Sequence, residues 1–217
     1  MHYHKKAILF DFDGILVDSN PFHFEAHRRA LEKYGVKITK ADYIENGNGM
    51  DKEPFYENMQ EKYGVAFDLA KARRAKREIY GELLDGVQLV EGVGGILEGL
   101  YGKFRMAIAS TTHRDYILRI LKNTGIEKYF DAISSSKELD RGKPFPDVYL
   151  DAMDKLGVLP EECVAVEDSH NGIAAAKNAS VKCIAIPNEF TDRQDLSQAD
   201  LRLENISQLT EEVIDSL

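Results

Sequence analysis

The sequence lacks tryptophan, has only two cysteines among 217 residues, and contains no apolar run long enough to cross a membrane. A membrane-spanning helix needs about 20 consecutive apolar residues, so we expect no membrane partner. Cys163 and Cys183 lie inside short apolar runs, which predicts small buried core residues rather than a disulfide. No secretory signal is recognisable after MHYHKK. We therefore expect a cytoplasmic protein.

Positive charge is also scarce, because 28 lysines and arginines face 37 acidic residues and the formal net charge is −9. Nucleic-acid binding needs concentrated lysine and arginine, so we expect no nucleic-acid partner. The one basic run is KARRAKR at 71–77. Its helical spacing indicates a solvated helix face, and a patch facing an anionic small substrate is the alternative.

Short apolar runs alternate with amphipathic helical patterns along most of the chain. Continuously apolar runs are typical of strands buried on both faces of a parallel sheet. Strands that alternate with helices predict an α/β fold, a Rossmann-like doubly wound parallel sheet. The predicted strands are 6–10, 104–109, 130–134, 163–167, 182–186 and 200–203, and the clearest helices between them are 115–125, 145–157 and 171–179.

The stretch from about 20 to 85 breaks this alternation. It holds at least three amphipathic helical segments and no convincing strand. The simplest interpretation is an all-helical domain inserted after the first strand. We expect a core made of residues 1–17 and 88–217, and a helical cap made of residues 18–87.

Charged and hydroxyl side chains follow several of the predicted strands. Asp11 and Asp13 follow the first, Ser110 ends the second, and Glu167 and Asp168 end the fourth. Ligands of open α/β sheets bind at the carboxyl ends of the strands, so these groups should converge. Four carboxylates at one place need a cation, and their hard oxygen ligands suit Mg²⁺.

Lys143, in the loop sequence RGKPFPD, adds an ammonium group to this inventory. A lysine together with a hydroxyl at a helix N-terminus suits a phosphoryl group. The expected ligands are therefore Mg²⁺ and a small phosphorylated metabolite.

The order and spacing of these groups resemble the four motifs of the haloacid dehalogenase superfamily. The first motif resembles DFDGILVDS at 11–19, with its preceding Phe10, and the second resembles Ser110 after its apolar strand. The third motif resembles the sequence GKPFPD, which contains Lys143, and the fourth resembles VEDSHNG. The helical insertion resembles the cap of the subgroup that contains β-phosphoglucomutases and phosphoglycolate phosphatases. The resemblance covers nearly the whole chain. It implies a Rossmann-like core, Mg²⁺ and an aspartyl-phosphate intermediate.

The resemblance also implies roles for individual residues. Asp11 would be the nucleophile and Asp13 the general acid and base, which requires environments that separate their pKa values. The metal would be held by Asp11, Asp168 and Glu167, and by Asp13 through its backbone carbonyl. Adjacent residues at a strand end point to different sides, so a Glu167 that faces away from the metal is the alternative.

The remaining motif residues would hold the phosphoryl group. Lys143 would pair with Asp11 and the phosphoryl oxygens, and Ser110 would bind the same oxygens with neighbouring backbone groups such as Thr111. Gly14 would let the chain turn sharply past the phosphate. Because such a site would close by cap movement, we expect a monomer.

The cap contributes three candidate substrate-binding residues. His23 takes the position of a cap histidine in β-phosphoglucomutase-like sequences, Lys52 falls where an arginine is typical, and Lys76 falls near a phosphate-binding lysine. Lysine cannot form the bidentate fork of arginine on a distal phosphate, which favours a phosphatase over a phosphomutase. His27 shares a helix face with His23, and that pair could bind a metal; partly exposed helix residues are the favoured interpretation.

Two other chemistries are less well supported. Superfamily dehalogenases lack the second aspartate, so Asp13 favours phosphoryl transfer. A receiver-type signalling domain also uses Mg²⁺ and aspartyl phosphate, but it needs an aspartate at the end of its third strand. FDAISSSKELD offers none at that position.

Overall fold

The computed structural model describes residues 5–46 and 52–217. The chain divides into two compact units, Met1–Asp18 with Gln88–Leu217, and Ser19–Val87. The first unit is α/β, and the second is helical wherever it is described. Across both described ranges, no helix has the length and apolar character that crossing a membrane requires.

A six-stranded sheet forms the centre of the first unit. Every neighbouring pair is parallel and the strand order is β3-β2-β1-β4-β5-β6, which confirms the predicted doubly wound α/β fold. All six strands lie within the predicted runs or one residue from them. Their bounds are β1 Ala7–Phe10, β2 Arg105–Ser110, β3 Ala132–Ser135, β4 Cys163–Glu167, β5 Lys182–Ala185 and β6 Leu201–Arg202.

The central strands are buried because helices cover both faces of the sheet. All of β1 and β4 is buried, as the continuous apolar runs predicted. Small residues at buried positions of α8, such as Ala175 and Ala176, join the core against the sheet. The cysteines are buried and unbridged. The helices of this unit are α5 Val93–Leu100, α6 Arg114–Thr124, α7 Asp147–Leu156, α8 His170–Asn178 and α9 Glu211–Asp215.

The second unit contains four α-helices in its described part, residues 19–46 and 52–87, and no strand there. Their bounds are α1 Asn20–Glu32, α2 Lys40–Asn46, α3 Lys52–Tyr63 and α4 Leu69–Leu83. Its core includes an aromatic cluster of Tyr43, Phe55 and Tyr56 around His27. His27 is buried, and its Nδ1 lies 2.9 Å from the Tyr56 hydroxyl oxygen. The expectation that His27 is partly exposed is therefore wrong, because the helix face that carries it packs on aromatic rings.

The chain segments that leave and re-enter the first unit run side by side. The Asp18 N–H donates to the Gln88 carbonyl at 2.9 Å, and the Val90 N–H donates to the Leu16 carbonyl at 3.1 Å. These two hydrogen bonds join the segment after β1 to the segment that returns from the helical insertion. The residues that follow β1 are consequently held in a tight turn.

Candidate active site

The candidate site lies where the sheet changes its winding direction. β1 pairs with β2 on one side and β4 on the other, so the chain connections diverge between β1 and β4. Such a switch point is the usual ligand site of an open α/β sheet. Asp11 directly follows β1, and Glu167 and Asp168 come at the end of β4.

Three carboxylates meet at this point. One oxygen atom from each of Asp11, Glu167 and Asp168 lies within 4.8 Å of the others. All three residues are buried. Glu167 and Asp168 both face the cluster because β4 ends at Glu167, so strand alternation does not apply to Asp168.

Lys143 lies inside this acidic cluster. Its Nζ donates to Asp11 Oδ1 at 2.7 Å and to Glu167 Oε1 at 2.5 Å, and its side chain is buried. One ammonium group therefore faces three carboxylates, which leaves two negative charges uncompensated when all are ionised. Buried charges of this kind are costly without a partner.

The pKa values of the cluster reflect this imbalance. Burial raises the pKa of Asp11, Lys143 opposes that effect, and Glu167 and Asp13 add to it. Burial, followed by Asp11 and Glu167, raises the pKa of Asp168 well above its ordinary value. Burial alone would lower the pKa of Lys143, but Asp11 and Glu167 raise it, so the lysine stays cationic. A positive charge added to the cluster would keep both aspartates ionised.

Glu167 is held from several directions. Its Oε1 also accepts from the Tyr149 hydroxyl at 2.7 Å, and its Oε2 accepts from the Asp168 N–H at 3.2 Å and the Ser169 hydroxyl at 3.3 Å. Gly172 leaves room for the carboxylate, because a Cβ there would lie 2.0 Å from the Glu167 carboxyl carbon. Glu167 is thus a fixed anchor for Lys143.

Asp13 has a different environment from Asp11. It is half-buried, and its Oδ2 accepts from the Thr112 hydroxyl at 2.6 Å. Thr112 is fixed in turn, since its N–H donates to Ser110 Oγ at 2.9 Å and its carbonyl accepts from the Ser135 hydroxyl at 2.7 Å. The two aspartates therefore occupy the separate environments that distinct acid–base and nucleophilic roles require.

The remaining predicted residues of the first unit, Ser110, Thr111 and Gly14, are close in sequence to Thr112 or to Asp13. Ser110 is fully buried at the end of β2, next to the half-buried Thr111. Gly14 has φ of 89°, in the left-handed region that favours glycine, and its N–H donates to the Val17 carbonyl at 2.8 Å. A tight turn therefore follows Asp13.

The cluster fits a magnesium ion. Carboxylate oxygens are the ligands that Mg²⁺ prefers, and the two uncompensated negative charges match a divalent cation. Asp11, Asp168 and Glu167 would hold the ion through their side chains. Asp13 does not belong to the three-carboxylate cluster, so its expected contribution through the backbone carbonyl stays a prediction.

Comparison with known proteins decides the family. The family described as haloacid dehalogenase-like hydrolase matches residues 8–186, most of the chain. The chain belongs to this family. The resemblance predicted from the four motifs is confirmed, and the receiver-type alternative is wrong.

Relatives of this haloacid dehalogenase-like hydrolase include a phosphatase and a mutase. It is 32% identical to a phosphorylated carbohydrates phosphatase of Thermotoga maritima over 89% of this chain and 91% of that protein. It is 29% identical to a β-phosphoglucomutase of Bacillus subtilis over 96% and 93% of the two chains. Among solved structures, CbbY of Rhodobacter sphaeroides in complex with xylulose-(1,5)bisphosphate has a TM-score of 0.83 and 27% identity, with 94% and 96% coverage.

The second unit of the hydrolase brings two of the three predicted cap residues together. His23 Nδ1 lies 2.8 Å from Lys76 Nζ, and the His23 ring stacks on Tyr80 with 3.9 Å between ring centroids. The Nδ1 atoms of the two histidines face different partners, Lys76 for His23 and the Tyr56 hydroxyl for His27. Lys52 begins α3, and its side chain lies outside the described part of the structure.

Three residues that contact the motif side chains were not selected from the sequence. Thr112 follows the motif residue Ser110 by two positions, and its hydroxyl donates to Asp13. Tyr149 lies on the apolar face of a predicted helix, where the pattern gives no sign of a hydroxyl contact. Asn188 follows β5, and its Nδ2 donates to Asp168 Oδ2 at 2.7 Å. Applying the strand-end rule to β5 would have identified Asn188.

Proposed function

We propose that the protein is a Mg²⁺-dependent phosphatase of a small phosphorylated metabolite, of the sugar phosphate or phosphoglycolate type. The observation that carries this proposal is the contrast between two aspartates. Asp11 is buried in an ion pair with Lys143, while Asp13, two residues later, is half-buried and bonded to Thr112. That contrast supports a nucleophile and a separate proton carrier in one site.

The proposed reaction has two steps. In the first, an Asp11 oxygen bonds to phosphorus, the bond from phosphorus to the ester oxygen breaks, and Asp13 gives its proton to the leaving alcohol. In the second, Asp13 takes a proton from water, the water oxygen bonds to phosphorus, and the bond to Asp11 breaks. Asp11 is released as a carboxylate and inorganic phosphate leaves.

The surrounding residues stabilise the charge that moves during these steps. Lys143 would neutralise charge on the phosphoryl oxygens, and Ser110 with the Thr111 backbone would donate to them. Gly14 would allow close approach of the backbone. Bound Mg²⁺ would supply electrophilic stabilisation of the phosphoryl oxygens and keep Asp11 ionised.

The substrate class is proposed from the relatives and from the second unit. One relative is named for phosphorylated carbohydrates, and a structural neighbour binds a sugar bisphosphate. We assign substrate recognition to the helical unit, as a cap, with His23, Lys76 and Lys52 as its polar contacts. All proposed catalytic groups come from one chain, so we propose that the protein acts as a monomer.

A β-phosphoglucomutase-like activity is the second candidate. The contact between His23 and Lys76 favours it, because these positions resemble the mutase cap. A phosphatase releases inorganic phosphate from several sugar phosphates without converting β-glucose 1-phosphate into glucose 6-phosphate. Steady interconversion of those two esters, with little phosphate released, would establish the mutase instead.

The nucleophile assignment is tested with Asp11→Asn. A panel of phosphate esters with Mg²⁺ should show kcat lowered by roughly 10⁴-fold or more, since an amide cannot form the acyl phosphate. Asp151→Asn, which removes only an exposed helical ion pair with Lys155, is the matched control and should retain full activity. Unchanged turnover by Asp11→Asn would refute the proposed mechanism.

A further inference from the structure

We propose that Asn188 is a positioning residue of the metal site, which holds the Asp168 carboxylate and thereby sets the affinity of the cluster for a divalent cation. The inference rests on the proposed function, because it takes the acidic cluster to be a metal site. Asn188 lies three residues beyond Ala185, the last residue of β5. It belongs to the segment that joins β5 to β6, outside all four sequence motifs.

Both ends of the Asn188 amide are used. Its Nδ2 donates to Asp168 Oδ2 at 2.7 Å, and its Oδ1 accepts from the Phe190 N–H at 2.9 Å. A flipped amide would place oxygen against oxygen at Asp168 and nitrogen against nitrogen at Phe190. The hydrogen-bond pattern therefore fixes the amide with its donor toward Asp168.

The backbone of Asn188 is fixed as well. Its N–H donates to Thr191 Oγ1 at 3.0 Å, and its carbonyl accepts from the N–H groups of Thr191 and Asp192 at 3.0 and 2.9 Å. The amide is thus carried on a closed turn. A donor on such a turn fixes the direction of the carboxylate that it holds.

The segment of residues 188–195 also contacts the loop after β4 at a second place. The His170 N–H donates to Gln194 Oε1 at 2.8 Å, and His170 Nδ1 donates to the Asp195 carbonyl at 2.7 Å. Asp168 and His170 are two residues apart, so residues 188–195 contact the loop from Asp168 to His170 at three hydrogen bonds. Order in this segment and the position of Asp168 are therefore coupled.

The chemistry of an amide donor suits this position. Asn188 holds Asp168 without adding charge, so the cluster keeps the two uncompensated negative charges that attract a divalent ion. A lysine or arginine there would neutralise one of them and compete with the ion. Partners that orient metal ligands in this way commonly change metal affinity by about 10–100-fold when removed.

The test is Mn²⁺ binding, followed by the electron paramagnetic resonance signal of free Mn²⁺, with no substrate present. Asn188→Ser keeps an oxygen that can accept from the Phe190 N–H but is too short to reach Asp168. We expect it to bind Mn²⁺ about 10-fold or more weakly than the wild type. The matched control is Asn205→Ser, because Asn205 Oδ1 accepts from the Ser207 N–H in a similar turn away from the cluster; it should bind Mn²⁺ as the wild type does.

The outcomes separate this inference from the proposed function. If Asn188→Ser binds Mn²⁺ as tightly as the wild type, the positioning role is overturned and the phosphatase proposal stands. If the wild type binds no Mn²⁺, the metal site itself is refuted and both fall. Should Asn188→Ser fail to fold, amide hydrogen exchange of the wild type decides. Saturating Mg²⁺ should slow exchange in residues 188–195, and unchanged exchange there would overturn the coupling.

Discussion

At the residue scale, Tyr149 shows how a buried hydroxyl supports an ion pair. Its hydroxyl donates to Glu167 Oε1, while Lys143 Nζ lies 5.3 Å from the centre of its ring. Burial, and then the negative charge of Glu167, raises the pKa of Tyr149 well above its ordinary value. The phenol therefore remains a donor at all working pH values.

Removing that hydroxyl should disturb both stability and rate. Tyr149→Phe removes one of the two donors to Glu167 Oε1 and leaves the other, Lys143. Because the lost hydrogen bond is to a buried charged group, we expect the free energy of unfolding to fall by about 1–3 kcal/mol. We expect kcat to fall by about tenfold or more, because Glu167 loses a donor that fixes it and Lys143, which is bonded to Glu167, moves with it; a displacement of ~1 Å can cost about 100-fold. Urea denaturation and steady-state kinetics measure the two effects.

The control makes the same chemical change in the other unit. The Tyr63 hydroxyl donates to Asp42 Oδ2 at 2.8 Å. Tyr63→Phe should therefore lower stability without changing kcat. Equal kcat for Tyr149→Phe and the wild type would show that Glu167 and Lys143 keep their positions without the hydroxyl.

Single residues were also where sequence reasoning was weakest. Asp11, Lys143 and Asp168 were identified because ionisable side chains at strand ends and in motifs are conspicuous. Tyr149 was missed because its ring satisfies the apolar pattern of α7, and that pattern cannot show where a hydroxyl points. His27 was assigned to a partly exposed position because a single histidine does not reveal the aromatic rings, distant in sequence, that bury it.

At the scale of elements, the start of α8 is shaped around Glu167. Ser169 caps this helix, since its Oγ accepts from the Gly172 N–H at 3.2 Å, and Gly172 has no side chain where the Glu167 carboxylate passes. The helix therefore begins close enough to β4 for its first turn to contact the acidic cluster. Glycine at this position is a matter of space, because no positive φ is involved.

Adding one methyl group at this contact should damage the site. Gly172→Ala would force either α8 or Glu167 to move, so we expect a loss of about 1–3 kcal/mol in stability together with reduced kcat. Gly95→Ala in α5 is the control: a Cβ there meets nothing within 4 Å, and the higher helix propensity of alanine should leave stability equal or raise it by up to about 1 kcal/mol. Thermal unfolding and kinetics of both variants check this. Wild-type behaviour of Gly172→Ala would contradict the tight contact.

The elements themselves were well predicted from the sequence. Short apolar runs marked the first five strands, and the weaker pattern DLRL at 200–203 marked the two-residue β6. Gly125 and Gly157 stand at the ends of the predicted helices and at the ends of α6 and α7, where both adopt positive φ. Helix α5 was not predicted, because its sequence VGGILEGL contains three glycines that weaken the helical pattern. Burial of Val93, Leu97 and Leu100 stabilises this helix despite its low intrinsic helix propensity.

At the scale of the whole molecule, the hydrogen bonds of one buried carboxylate in the helical unit, Asp42, make the stability depend on pH. Asp42 is buried and accepts from Lys62 Nζ, the Tyr63 hydroxyl and the Thr39 backbone, which joins α2 to the end of α3. Burial alone would raise the pKa of Asp42, but the hydrogen bonds from Lys62, Thr39 and Tyr63 outweigh it and hold the pKa well below its usual range.

The sign of the pH dependence follows from that lowered pKa. The unfolded chain binds a proton at Asp42 more readily than the folded chain, so this stabilisation is present above the unfolded pKa of about 4 and is lost as pH falls through the folded value. Asp42→Asn should lower the free energy of unfolding by about 1.5–3 kcal/mol at pH 7, and by progressively less below pH ~4. Urea titrations at several pH values measure this. A difference that stays constant down to pH ~2 would contradict the assignment.

The most direct measurement of the central claim is a search for phosphate bonded to Asp11. With p-nitrophenyl phosphate the leaving group needs no proton, so Asp13→Asn should still pass its first step, while lacking the base for the second. Asp13→Asn is mixed with this ester and Mg²⁺ and analysed by mass spectrometry. We expect one phosphoryl group per chain, located on Asp11. The double variant Asp11→Asn/Asp13→Asn should carry none. Release of p-nitrophenol with no phosphoryl group on the protein, or with the group on another residue, would contradict the account.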